Sequence, residues 1–196
     1  MKKFLSALFV LILFAATAQA ASPVRIARLP IIFMSTAPDV ETCAELEMKI
    51  ARAVHIPLNG TLQLAEYLPT KVSTQALNDI WRKMRTENKK AKLPDAMRPL
   101  AEEINADIIV CPIIKRYNQN VFNLAGWSDE TGLNSYVSVE LIVYDRRTDN
   151  LIDKKASQMY RDDYSIIGTA SYLAKICFDR VIDDSKIRQL IVAIRK

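Results

Sequence analysis

Glycine is scarce in this chain, four in 196 residues, and histidine occurs once, as His55. Those shortages exclude whole classes of site. No Gly-x-Gly-x-x-Gly fingerprint, phosphate-cradling loop or His-Glu-x-x-His helix is present. No Gly-x-Ser-x-Gly elbow occurs, and a serine or cysteine nucleophile would have only His55 as a histidine base. His55 falls at the end of a helical apolar stripe, just before Ile56-Pro57, where a cation complements the helix dipole. Its reading is structural. The three cysteines, Cys43, Cys111 and Cys177, form no Cys-x-x-Cys pair and are too few for a disulfide-held scaffold. With a single histidine they also supply no metal-ligand set, so neither a metal nor another cofactor is expected. One disulfide with a buried thiol, or three buried thiols, both fit the count.

A strong excess of one charge is lacking too. The net charge is +5 over the full chain, and two of the lysines lie in the first twenty residues, leaving +3 for the rest. Both signs are interspersed, which speaks against a nucleic-acid partner. The basic run Arg82 to Lys92 reads as a solvated helix end. The acidic stretch Asp145 to Asn150 places Arg147 where a calcium loop needs an acceptor and lacks the glycine at its sixth place. It is a turn. Asp162-Asp163 and Asp183-Asp184 are adjacent pairs whose members point differently, so no acid/base couple is ready-made. An enzyme is not expected from this search.

What the chain does have begins at its first residue. Lys2 and Lys3 precede an apolar run, Phe4 to Ala16, broken only by Ser6, and Ala18-Gln19-Ala20 supplies a small-x-small site. This is the pattern of a cleaved signal peptide, residues 1–20, with a periplasmic or secreted product starting at Ala21. The run is shorter than the ~20 residues a membrane helix needs. No integral membrane span is expected after cleavage. The residue directly after the cleavage site is Ala21 and not cysteine, which speaks against a lipid anchor. The remaining 176 residues, 21–196, suit a single α/β domain.

Its elements are expected in the order β-α-β-α-α-β-β-β-α. Val24 to Phe33 is apolar and β-branched, a first strand. Thr36-Ala37-Pro38-Asp39 carries a helix start, and Cys43, Leu46, Ile50 and Val54 follow at helical spacing. Asn59-Gly60 turns the chain into a half-buried strand over Thr61–Leu68. Ser73 or Thr74 caps a helix with Leu77, Ile80, Trp81 and Met84 inward, and Pro99 opens a third. Ile108 to Ile114 is unbroken apolar sequence, a strand covered on both faces. Pro112 within it calls for a bulge or an edge. Val137, Val139, Leu141 and Val143 alternate with polar residues, and Asp145–Asn150 turns that strand into a lysine-bearing partner, Leu151–Tyr160. Thr169 starts the last long helix, and Ile187, Leu190, Ile191 and Ile194 suggest a short terminal one. The fold class is thus α/β, a mixed sheet with an antiparallel hairpin and helices packed on it.

Residues 118–134 read as a polar, glycine-containing loop carrying two aromatics, Phe122 and Trp127. Such rings either anchor a partner or fold back over the sheet to tether the loop. They are the candidate partner-binding residues. The rival function is a small-ligand binder or hydrolase with its site under this loop.

Three segments resemble one family of exported α/β domains. Arg25-Ile26-Ala27-Arg28-Leu29-Pro30-Ile31-Ile32-Phe33 is like its first strand ending in a proline-containing segment. Ile104-Asn105-Ala106-Asp107-Ile108-Ile109-Val110 is like its helix-to-strand junction. Val139 to Asp145, with Thr148-Asp149-Asn150-Leu151-Ile152, is like its hairpin. The family includes the amino-terminal domain of the Tol-system propeller protein, the curli secretion lipoproteins and the lipoprotein activators of penicillin-binding proteins. The chain departs from them in having no lipobox, no propeller repeats, and Pro112 where the third strand often continues into glycine. The resemblance implies a fold and a non-catalytic role in envelope assembly or protein interaction, with another envelope protein as partner and no catalytic residue to carry over. In the resembling fold the first and last long helices cover the sheet together, which implies a possible Cys43–Cys177 disulfide with Cys111 buried in its strand.

Edman sequencing of the exported protein should return Ala21 first, whereas Met1 would remove the signal-peptide reading.

Overall fold

The computed structural model describes residues 23–56, 64–123 and 131–192. The expected signal segment 1–20, the Asn59-Gly60 turn and Trp127 lie outside them. Within them the chain is a mixed α/β fold built on one six-stranded sheet. Its strands are β1 (Val24–Arg28), β2 (Ile32–Phe33), β3 (Ala65–Tyr67), β4 (Ile108–Asn123), β5 (Thr131–Asp145) and β6 (Asn150–Asp163). The spatial order is β3-β1-β4-β5-β6, with β2 also on β4. The pairs β1/β3, β1/β4 and β2/β4 are parallel, while β4/β5 and β5/β6 are antiparallel.

Helices cover both faces. On one side lie α1 (Val40–Val54), α4 (Ala170–Ser185) and the short α5 (Ile187–Val192); on the other, α2 (Thr70–Glu87) and α3 (Met97–Glu103), the latter entered through a 3-10 turn at Leu93–Ala96. Leu46, Ile50, Leu173, Phe178 and Val181 pack on Val137, Val139, Leu141 and Val143 on the first side. Met97 and Leu100 pack on Ile109, Cys111, Ile113 and Ile142 on the second. Ile108 to Ile114 is therefore buried on both faces, as its unbroken apolar sequence predicts. Removing the fully buried ring of Phe178 would cost about 3–5 kcal/mol. Among the described residues no helix is long and apolar enough to cross a membrane.

Several boundaries differ from the sequence reading, each for a local reason. The expected first strand, Val24–Phe33, is two strands, because Pro30 cannot donate to the ladder. Helix α1 begins at Val40: Asp39 caps it, accepting the Thr42 amide at 2.8 Å and the Thr42 hydroxyl at 2.7 Å. These bonds hold the Asp39 carboxyl below its ordinary range. Neither Ser73 nor Thr74 caps α2, which starts three to four residues earlier, behind Pro69. Among the described residues strand β3 spans Ala65–Tyr67; Thr61, Leu62 and Gln63 of the expected strand lie outside them. Residues 118–123 and 131–134 are not a loop but the paired arms of β4 and β5, Asn118 opposite Tyr136 and Phe122 opposite Gly132. Residues 124–130, the remainder of that segment, lie outside the described residues.

Pro112 sits in the middle of β4, neither at an edge nor in a bulge; the bulge is at Lys115. Val110 and Ile114 offer their carbonyls to the Leu29 and Met34 amides at 2.9 Å each. Pro112 has the same parity, so its donorless nitrogen faces that same side, where Pro30 breaks β1 from β2. The amide of Ile31, left without a strand partner there, donates to Glu47 Oε1 of α1 at 2.7 Å. Arg28 pairs with the other oxygen of the same carboxylate.

The β5–β6 turn closes the opposite end. Asp149 adopts a positive φ of 50°, which short polar residues tolerate, and its carboxylate accepts the Tyr144 hydroxyl at 2.8 Å. Asp107 accepts the Arg25 amide at 2.9 Å and Arg146 Nη2 at 3.0 Å, binding the starts of β1 and β4 to the end of β5. Asp145 is buried and accepts three bonds from Arg147, through its amide, Nε and Nη2, at 2.8 to 3.0 Å. Burial pushes the Asp145 carboxyl up, and the Arg147 bonds and charge more than reverse it, leaving it below the ordinary carboxylate range.

A carboxyl held low in the folded state stabilises folding above its unfolded value, ~3.9, and that contribution is lost as pH falls through the folded one. Arg147→Gln should therefore lower the unfolding free energy by about 2 kcal/mol at neutral pH, by stranding a buried charge. The difference from wild type should shrink in urea melts taken below pH ~4, where Asp145 takes up a proton; a pH-independent difference would refute the assignment.

Candidate functional site

Strands β4 and β5 run past the helices, and one end of the sheet is built from their outer arms, the end of β6 and the chain that leaves it. The Tyr164 amide donates to the Thr131 carbonyl at 2.9 Å, extending β6 by one more bond. The chain then folds back as a 3-10 turn, Ile166–Gly168, into α4. Three side-chain bonds fix this return. Thr169 Oγ1 donates to the Ile166 carbonyl at 2.7 Å and accepts from the Tyr172 amide, capping α4 as its sequence predicts. The Ala170 amide donates to Gln119 Oε1 of β4 at 2.7 Å, pinning the helix start to the sheet. Gly168 lies flat against the Tyr160 ring, and a Cβ there would sit 2.3 Å from it.

The result is a rigid mount with apolar side chains facing water. Val121 is 56% exposed, Tyr164 54%, Ile166 76% and Ile167 57%. Scattered exposed apolar residues are ordinary in a soluble protein; four around one strand end and the turn beside it form a patch of the kind that marks an interaction site. Val121, Ile166 and Ile167 offer contact surface alone, and Tyr164 adds a phenol hydroxyl to it.

The two sequence candidates part company here. Phe122 is half-buried, its ring laid across Gly132 of β5 so closely that a Cβ there would be 2.5 Å from the ring edge. The aromatic covers the backbone the glycine leaves bare, so at least part of its role is to hold the two arms together. Trp127 lies outside the described residues. Val121, Tyr164, Ile166 and Ile167 were missed in the sequence, since each is a single apolar residue in polar surroundings with no periodicity to flag it. The adjacent Ile166-Ile167 just before a helix cap was the one available signal.

The cysteines do not pair. Cys43, Cys111 and Cys177 are all free thiols. Helices α1 and α4 do cover the same face, but Cys43 sits half-buried in the first turn of α1, its thiol donating to the Pro38 carbonyl, whereas Cys177 is buried well inside α4. Burial pushes the Cys111 thiol up to about 12. His55 is the C-cap residue of α1, exposed, with its ring stacked on Tyr67 at 6.5 Å between centroids. Trp81 of α2 lies under the Arg85 guanidinium, 5.8 Å from its carbon to the ring centroid.

No family model matches the chain, and no curated protein sequence does. Solved structures do. The chain is similar to lipoprotein GNA1162 from Neisseria meningitidis, at 16% identity over 82% of this chain and 99% of that one, with a TM-score of 0.39. It is similar to the hypothetical protein CT253 from Chlamydia trachomatis, at 13% identity over 87% and 99%, TM-score 0.45. It is also similar to the C-terminal domain of LpoB from Salmonella enterica, at 7% identity over 74% and 90%, TM-score 0.35. These are weak resemblances of fold, with lipoproteins among them.

If the Phe122 ring occupies the space over Gly132, then Gly132→Ala should overpack that contact and destabilise the protein by about 1–3 kcal/mol. In a Phe122→Ala background most of that penalty should vanish. A double-mutant cycle by denaturant unfolding reads the coupling, and additive penalties would show that the ring is elsewhere.

Proposed function

We propose that this chain is a non-catalytic auxiliary protein of the cell envelope that works by docking another envelope protein on the hairpin end of its sheet. The observation that carries the reading is the exposed apolar group of Val121, Tyr164, Ile166 and Ile167 on a pinned turn. Because Gln119 and Thr169 already hold that turn, little ordering entropy is lost when a partner closes over it, which favours affinity. Trp127, in the connection between Asn123 and Thr131, belongs to the same proposal, and so does Phe122 where its ring remains open.

The Lys2-Lys3 start, the apolar run and Ala18-x-Ala20 support export, and with it a place for the protein in the envelope. The non-catalytic half of the proposal is supported by what the titratable groups do. His55 ends a helix, Asp145 and Asp107 tie strands together, and Asp39 caps α1. Each has a structural task that accounts for its position.

A photo-crosslinking residue placed at Ile166 in intact cells should give an adduct with one defined envelope protein, and the same residue at Lys83 on the distant α2 should not. Ile167→Asp should remove the adduct while changing stability by no more than about 0.5 kcal/mol, as an exposed substitution does. An adduct that persists in Ile167→Asp, or that forms equally at Lys83, would overturn the assignment of this end as the docking surface.

A further inference from the structure

Among the described residues, α2 and α3 cover only half the length of their sheet face. Val137 and Val139 point toward α1 and α4, so Asn134, Tyr136 and Ser138 point the other way. The cross-strand register puts Arg116 beside Ser138, Asn118 beside Tyr136 and Asn120 beside Asn134, with Arg161 of β6 completing that last row. Arg116, Asn118, Asn120 and Arg161 are exposed, and Asn134 and Tyr136 are half-buried by their neighbours on the sheet. The bulge at Lys115 marks where the apolar half of the face stops and the polar half begins.

The acids on this face are mostly engaged by the protein itself. Glu140, 3% exposed, is held by Lys115 at 2.5 Å and Lys155 at 3.5 Å, and Lys155 also takes Asp153 at 2.8 Å. That cluster is neutral in sum. Asp163 stands at the rim, two residues beyond Arg161. Neither Arg116 nor Arg161 has an ion-pair partner among the described residues. The two arginines stand two strands and about four residues apart, their Cα atoms roughly 17 Å from one another by strand spacing and rise.

Three features select an occupant. Two unpaired guanidiniums that far apart call for a chain with repeated negative charge, since one small acid would reach only one of them. Between them the face offers side-chain amides, each of which donates and accepts, matching a ligand dense in hydroxyl groups. Tyr136 supplies an apolar ring at the centre of the array on which a saturated ring can lie. Met159 of β6, 64% exposed, stands beside Tyr136 on this face, but it is flanked by two arginines and three asparagines, whereas the cores of protein interfaces are depleted of charge. Nucleic-acid sites neutralise many phosphates with a basic stripe, which two arginines do not make. We propose that this open half-face binds an acidic polysaccharide, a chain of hydroxyl-rich rings bearing carboxylates, with carboxylates on Arg116 and Arg161 and hydroxyls on the asparagines. This surface borders Phe122 but lies on the opposite face of the sheet from Val121 and Tyr164, and its polar contacts do not depend on them.

Titration calorimetry of the purified chain with alginate oligomers tests this, with dextran, polyglutamate and single-stranded DNA of similar size as comparators. Alginate should bind and dextran should not. Arg116→Gln/Arg161→Gln should weaken alginate binding at least about tenfold with an unchanged melting temperature. Asn118→Ala/Asn120→Ala should weaken alginate several-fold and leave any residual polyglutamate binding unaltered, which separates hydroxyl recognition from charge. Ile167→Asp should leave alginate binding intact, so failure of the hairpin-end reading and failure of this one are read separately. Absence of alginate binding, indifference to the arginine pair, or equal binding of polyglutamate or DNA with no asparagine effect would each overturn the proposal.

Discussion

The inner part of β4, Ile108–Ile114, sets the terms for everything else, because it is buried on both faces and flanked on both sides by other strands. In that position each backbone donor and acceptor needs a partner, and an unpaired one costs on the order of 1–3 kcal/mol. Pro112 violates the requirement by removing a donor at the centre. The fold answers by aligning a second defect with the first: Pro30 splits β1 from β2 on the side that Pro112 faces. The Ile31 amide, stranded by the arrangement, is taken by Glu47 from the helix above. Two prolines and one carboxylate thus resolve a constraint that none of them satisfies alone.

The two ends of the sheet are then treated in opposite ways. At the β5–β6 turn, Asp107, Asp145 and Asp149 are each bonded to arginine, and the chain reversals are locked by charge-assisted bonds. At the other end the long arms of β4 and β5 leave the helical cover behind. There the locking is done by backbone and neutral side chains, through Thr169, Gln119 and two glycines pressed against aromatic rings. One end is closed to partners by its own charges, and the other presents apolar surface on a mount that does not need to reorganise.

Much of this was open to a reader of the sequence. The period-two alternation of Val137 to Val143 named its buried face, the unbroken run Ile108–Ile114 named a strand covered on both sides, and Thr169 named a helix start. These readings hold because periodicity reports which side of an element is buried, and burial is the dominant favourable term. The failures were equally physical. Residues 118–134 looked like a loop because alternation is a signal only when one face is apolar; on arms with an open polar face the pattern disappears although the pairing does not. Cys43 and Cys177 shared a stripe pattern, but a stripe fixes an azimuth on a helix and says nothing of how far along it the neighbouring helix crosses.

The amino-acid sequence by itself determined the fold class, the central strand, the charged turn at Asp145–Asn150 and the absence of the common catalytic motifs, because each rests on local chemistry or short-range periodicity. Only the tertiary structure decided the rest. It aligned Pro30 with Pro112, brought Glu47 to the Ile31 amide, laid Phe122 over Gly132, and left one half of a sheet face bare while its other half was covered. Those outcomes depend on register and on where a helix ends relative to a strand, quantities set by the packing of distant segments.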